Sequence, residues 1–176
     1  MIRIAHGTWR AAIIVPALGI AVKVPKVRIR TIWKRYKDIS SVKALVDEFR
    51  EDVKYWEHPA SVPMCVFGGW LMNLKEAWFS FSTGSNQVVL PTYASLFGLA
   101  NLMPAGRPHE VTGSKLWNTA LSVASWDELD SHAWSEAGNF VRDQTGRIRL
   151  VDYGDRRTQQ TILRHREKFE LAFKDL

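Results

Sequence analysis

The sequence predicts an α+β protein with an antiparallel sheet near its start and a small helical second part, on three observations. Apolar segments rich in Ile and Val, punctuated by Gly and Pro, run from Ile2 to Val24 and read as a three-strand meander. Val42, Leu45, Val46, Phe49, Val53 and Trp56 recur at helical spacing. Phe140-Val141 and Ile148 to Val151 flank the turn Asp143-Gln-Thr-Gly146, the pattern of a β-hairpin.

A chain of 176 residues fits one domain, or two small lobes sharing a cleft, and is long enough for a true core. Its net charge of +6 permits an acidic partner, a nucleotide or nucleic acid, without requiring one. Eight Trp is a high count; core filling accounts for it more simply than an exposed partner surface. The single Cys65 rules out an internal disulfide and fits a reducing cytoplasm. Ala11 to Val22 is apolar and follows Arg3 and Arg10, but Pro16 and Gly19 break it. It is too short to span a bilayer, so no membrane segment is expected.

Within the meander, strands at Ile2 to His6, Arg10 to Val15 and Ile20 to Val24 are separated by turns at Gly7-Thr8 and Ala17-Leu-Gly19. From Lys23 to Lys37, seven of fifteen residues are Lys or Arg, with Trp33 and Tyr36 between them. Such a mix can bind single-stranded nucleic acid, yet a solvated helix face with two inward aromatics is the preferred reading. A helix follows from Ser41 to His58, capped by Ser40 or Ser41 and stopped by Pro59. Ser61 to Val66 reads as a connector and Gly69 to Phe81 as a second helix, ended by Ser82-Thr-Gly-Ser-Asn86. Val88 to Tyr93 and Leu96 to Met103 read as paired strands, and Pro104-Ala-Gly106 as a hinge. Thr112 or Ser114 caps a helix reaching about Ser125, and a last helix covers about Arg157 to Lys174.

The hairpin sets Asn139 just before its first strand and Asp152 just after its second, bringing two oxygen ligands to one end. His132, Asn139 and Asp152-Tyr-Gly together resemble the His-x-Asp-x-x-x-x-Asn and Asp-Phe-Gly motifs of the protein-kinase-like superfamily. The nearer likeness is to its aminoglycoside-phosphotransferase and small bacterial or phage branch, where the loop reads His-Gly-Asp-Leu-His-Pro-Gly-Asn and the last motif Asp-Tyr-Gly. His132, Gly138 and Asn139 match that loop, while Trp134 stands at the position of the catalytic Asp. An indole cannot accept a hydroxyl proton. In a second register, Asp130-Ser-His132 is the family's Asp-x-His and Asp130 is the base.

The resemblance implies a miniature kinase-like fold, with a sheet-based N-lobe over residues 1–104 and a trimmed helical C-lobe over 105–176. Ala21-Val22-Lys23 resembles the strand motif whose Lys holds nucleotide phosphates. Asn73-Leu-Lys-Glu76 resembles the helix that supplies its Glu partner, with Glu48 and Glu51 as alternatives. Gly7 is all that stands for the glycine-rich loop, which implies weaker cradling of phosphates. Asn139 and Asp152 would hold Mg²⁺, so the implied cofactors are ATP and Mg²⁺. With Trp134, the missing glycines and about twenty residues after Gly154, the expected function is a catalytically impaired pseudokinase. It would act as a binding or inhibitory module with residual nucleotide binding and a protein partner. The alternative is an active minimal ATP-dependent kinase, and the third reading is a basic nucleic-acid-binding protein.

Overall fold

The computed structural model describes residues 1–84, 87–174 and 176. Three strands open the chain: β1 (Arg3–His6), β2 (Arg10–Val15) and β3 (Ile20–Pro25). Gly19 turns β2 into β3 at φ 65°, a left-handed conformation that a side chain would strain. Two short helices, α1 (Ile29–Tyr36) and α2 (Val42–Lys54), then precede the long α3 (Val62–Thr83). Strands β4 (Ala94–Ser95) and β5 (Asn101–Pro104) complete a five-stranded antiparallel sheet of order β1-β2-β3-β5-β4.

The rest is α4 (Gly113–Leu121), the five-residue α5 (Ser131–Ser135), the hairpin β6 (Phe140–Arg142) and β7 (Ile148–Leu150), and α6 (Arg156–Arg164) with α7 (Arg166–Ala172). Leu116, Trp134, Phe140, Ile148, Ile162 and Phe169 form the heart of the larger hydrophobic core. Phe79 from α3 and Val88 and Val89 belong to that same core. A smaller cluster of Ala21, Leu90 and Met103 lies under the sheet, with Ile14, Val141 and Val151 packed against it. Among the described residues, no helix is long and apolar enough to cross a membrane.

The meander and the hairpin fall where the sequence pattern puts them, but other elements differ. Ser61 to Val66 is not a connector. The Ser61 hydroxyl accepts from Met64 N–H, Pro63 sits in the first turn where its missing N–H costs nothing, and α3 runs unbroken for 22 residues. Its expected terminator, Ser82 to Asn86, extends at Ser85 and Asn86 outside the described residues. Leu96 to Met103 is a strand only from Asn101. Leu96 N–H bonds Ala100 O, and Phe97 (φ 47°) and Gly98 (φ 77°) turn the chain there. Val88 to Leu90 runs beside β7 instead of pairing in the main sheet, through Leu90 N–H to Leu150 O and Leu150 N–H to Val88 O. The last helix breaks at His165 into α6 and α7.

The apolar stripe of α2 is a further correction. Val42, Leu45, Phe49 and Val53 are all exposed, whereas Asp52 is 2% exposed and accepts from the Tyr36 hydroxyl at 2.6 Å. Arg35 joins the same group, 2.8 Å from Asp52 and 2.6 Å from Glu48. Asp52 also accepts from Val62 N–H at 3.1 Å, so polar contacts to α1 and to the start of α3, not an apolar stripe, mark the inner side of α2.

Candidate functional site

Strand alternation decides which side chains of the sheet face α3. In β3, Ala21 and Lys23 point inward and are both 7% exposed, while Val22 and Val24 are less buried. Ala12 of β2 pairs with Lys23, and Arg10 lies two residues away on the same face, so its guanidinium reaches Lys23's neighbourhood diagonally.

Helix α3 meets this face closely because of a glycine. A Cβ at Gly69 would stand 2.1 Å from Trp9 O. Residues four and seven positions further on share that helix face. Asn73 donates to Lys23 O at 3.2 Å and Gly98 O at 3.0 Å, and its own carbonyl accepts from Asn101 Nδ2 at 2.7 Å. Glu76 follows one turn later, fully buried, with both carboxylate oxygens 3.0 Å from Lys23 Nζ. Tyr153 N–H donates to Glu76 Oε1 at 3.2 Å, which ties the end of the hairpin to α3. Lys23 Nζ also donates to Val151 O.

The hairpin contributes the opposite wall. Val151 N–H bonds Asn139 O at 2.8 Å, closing the base beyond which Asp152 projects. The Asp152 side chain is 47% exposed, and one of its oxygens accepts from Arg10 Nη2. Arg10 Nη1 lies 2.8 Å from Glu76 Oε2. Two cations and two carboxylates thus form one neutral cluster: Arg10, Lys23, Glu76 and Asp152.

Ionisation follows this geometry. Burial and the neighbouring Arg10 charge push the Lys23 pKa down, against the pull of Glu76 and Asp152. Burial also opposes the charge on Arg10, but Glu76 and Asp152 outweigh it and raise the pKa. For Asp152, burial is outweighed by Arg10 and then Lys23, and the carboxyl lies below its ordinary range.

Three members of the cluster border a cleft of about 620 Å³, within the range of small-ligand sites, while Glu76 lies buried behind them. Lys23, Arg10 and Asp152 line it together with Gly7, Asp130, His132 and Asn139. Gly7 belongs to the β1–β2 turn, where its N–H bonds Arg10 O at 2.8 Å and so is already engaged. Asp130 caps α5 by accepting from His132 N–H at 3.1 Å. His132 is exposed and its Nδ1 lies 3.0 Å from Glu136 Oε1. Asn139 Nδ2 donates to His132 O at 2.9 Å and to Ala133 O at 3.3 Å, which leaves Oδ1 outside these bonds.

Three expectations are corrected. Trp134 does not fill a substrate position: its indole is fully buried and stacks on Phe169 with ring centroids 4.6 Å apart. Helical α5 turns position 134 into the core, where aromatic area outweighs an unpartnered indole N–H. Neither Glu48 nor Glu51 reaches Lys23, since Glu48 pairs with Arg35 and Glu51 lies 3.8 Å from Lys54. The basic stretch also departs from a solvated face with two inward aromatics, since Trp33 is 67% exposed. Lys23 is buried, Arg35 is paired, and Arg28 stacks over Trp9 at 4.3 Å.

Mg²⁺ does not fit the residues as they stand. Asp152 and Asn139 border one cleft, but the Asp152 carboxylate faces a guanidinium, and a second cation there would meet like charge. Among the described residues, no three of His, Cys, Asp and Glu gather as a metal-ligating group.

Sequence reasoning misses Arg10, Asn73 and Asn101. A signal for Arg10 exists: it shares strand parity with Ile14, which packs on the smaller core. A charged residue on an inward-facing strand position calls for a buried counter-charge. Asn73 lies within a segment whose motif points only to its Glu. Compared with family models, curated proteins and solved structures, the chain matches none of them.

Proposed function

We propose that the chain is a catalytically impaired kinase-like protein, a pseudokinase acting as a binding or inhibitory module with residual nucleotide binding. The observation that carries this reading is the engagement of Asp152 by Arg10 in a cleft where Lys23 and Glu76 are paired at 3.0 Å. The pairing of a strand Lys with a helix Glu supports a kinase-like architecture, as does the placing of Asn139 and Asp152 on the opposite wall. Impairment is supported by what phosphoryl transfer requires. The reaction depends on metal neutralisation of phosphate charge and on an oriented nucleophile. Here the metal-binding carboxylate faces Arg10, and position 134 offers no base to the cleft. A protein partner is supported by exposed apolar surface: Trp78, Phe81 and Phe97 line a recess of about 440 Å³ away from the cleft.

An active minimal ATP- and Mg²⁺-dependent kinase is the second reading, and the lining position of Asp130 favours it as the base. ATP turnover with Mg²⁺, measured for the parent beside Asp152→Asn, separates the two. The pseudokinase reading expects both to sit at background. Mg²⁺-dependent turnover in the parent that disappears in Asp152→Asn would establish the active reading instead.

A further inference from the structure

We propose that Arg10 is a resident counter-cation: it holds the place at Asp152 that a divalent ion would need and so keeps metal out of the cleft. The inference rests on the kinase-like reading of the cleft and assigns Arg10 a role within it.

Four observations converge on Arg10. It lies between both carboxylates of the cluster, hydrogen-bonded through Nη2 to Asp152 and ion-paired through Nη1, 2.8 Å from Glu76 but not aligned for a hydrogen bond. A planar guanidinium suits such two-point contact better than an ammonium. Its charge cannot be shed, because an Arg stays protonated at any pH the protein experiences. It is 7% exposed, and its strand is hydrogen-bonded on both sides, to β1 and to β3. The backbone therefore holds Arg10 against the carboxylates, leaving only side-chain rotation as a means of withdrawal.

Charge balance sets the consequence for metal binding. With Arg10 present, the two cations and two carboxylates cancel. Within the cluster, a divalent ion added at Asp152 would make four positive charges against two negative; Asp130, Glu136 and Asp155 also line the cleft, and none of them pairs with Arg10. With Arg10 neutralised by substitution, one negative charge is uncovered, and Asp152 with Asn139 Oδ1 offers hard oxygen ligands for a divalent ion.

The test measures Mn²⁺ binding, alone and with ADP, by the loss of the free-ion electron paramagnetic resonance signal. Parent protein, Arg10→Gln, Arg10→Met and the double variant Arg10→Gln/Asp152→Asn are compared. The parent is expected to show no saturable Mn²⁺ binding at millimolar ion, and with ADP none beyond what the same ADP takes up without protein. Arg10→Gln and Arg10→Met should bind Mn²⁺ at least about tenfold more tightly with ADP present, since a neighbouring positive charge has been removed. The double variant, whose charge is balanced again, should lose that gain. Saturable Mn²⁺ binding by the parent overturns the proposal, as does the absence of a gain in folded Arg10 variants. Should both single variants fail to fold, Arg10→Lys takes their place: an ammonium cannot span both carboxylates, so Mn²⁺ binding above the parent is expected and its absence overturns the proposal. Turnover of ATP by the parent, which would end the pseudokinase reading, is scored in a separate assay and does not alter this comparison.

Discussion

Lys23 Nζ lies 3.0 Å from each carboxylate oxygen of Glu76, across 53 residues of sequence. Glu76 also faces Arg10, so the two ends of this pair are not equivalent. Removing the carboxylate charge leaves two buried cations opposed only by a half-exposed Asp152. Removing the ammonium leaves Glu76 with Arg10 and the Tyr153 N–H. Glu76→Gln should therefore lower stability by about 3–5 kcal/mol, and Lys23→Met by clearly less. Urea unfolding of the two variants checks the order. A larger loss for Lys23→Met would mean that Arg10 does not share the Glu76 charge.

Trp134 fixes the next expectation. Its indole is fully buried, with Phe169 stacked on it and Phe140 and Phe173 at 6.2 and 6.0 Å. Trp134→Asp therefore places a carboxylate in an aromatic core and removes the ring that fills it. A loss of about 4 kcal/mol or more is expected, with no gain in ATP turnover. Thermal unfolding and a turnover assay on the same sample read both quantities. A folded Trp134→Asp that hydrolyses ATP would show that this position belongs to the cleft.

Acid should act on the protein partly through Glu128. Hydrogen bonds from Arg164, then from Ser125 and His165, bring its pKa from 4.5 down to about 2. The folded-state value lies below the unfolded one, so the unfolded chain takes up the proton first as pH falls. The contribution of Glu128 is complete above 4.5 and is lost progressively toward about 2. Glu128→Gln should thus be less stable than the parent near neutrality, with the difference in Tm shrinking between about pH 5 and about pH 2. A gap that stays constant over that interval would show that these hydrogen bonds do not favour the ionised carboxyl.

Local patterns in the sequence carry a large part of the fold, and the reasons differ by element. The meander and the 140–150 hairpin are legible because alternation and turn residues are written within a few positions of each other. The length of α3 is not, since Gly69 reads as a start when it serves close approach to Trp9 and to Pro25 at the end of β3. The rotation of α2 is hidden because a hydrophobic stripe normally marks the inner face. Here Asp52, with Tyr36 and Arg35 as partners, faces inward instead. In the candidate site, Lys23, Glu76 and Asp152 can be picked out by motif. Arg10 cannot, because nothing near it in sequence carries a motif and its partners are 66 and 142 residues away. Only the three-dimensional register of β2 on β3, together with the seating of α3, brings them into contact.

The unbroken course of α3 has a mechanical consequence. At its first half the helix is seated against the sheet through Gly69 and Asn73, and at its second half Phe79 is locked into the larger core. Glu76 lies between these two moorings, within a single rigid rod. Swinging Glu76 away from Lys23 would drag Phe79 out of its packing or tear Asn73 from two backbone carbonyls at once. The Lys23–Glu76 pair is therefore a permanent joint of the scaffold rather than a latch. Any movement that opens or shuts the cleft must come from its more weakly held rim, the β1–β2 turn and the exposed Glu136 to Gly138 that follow α5.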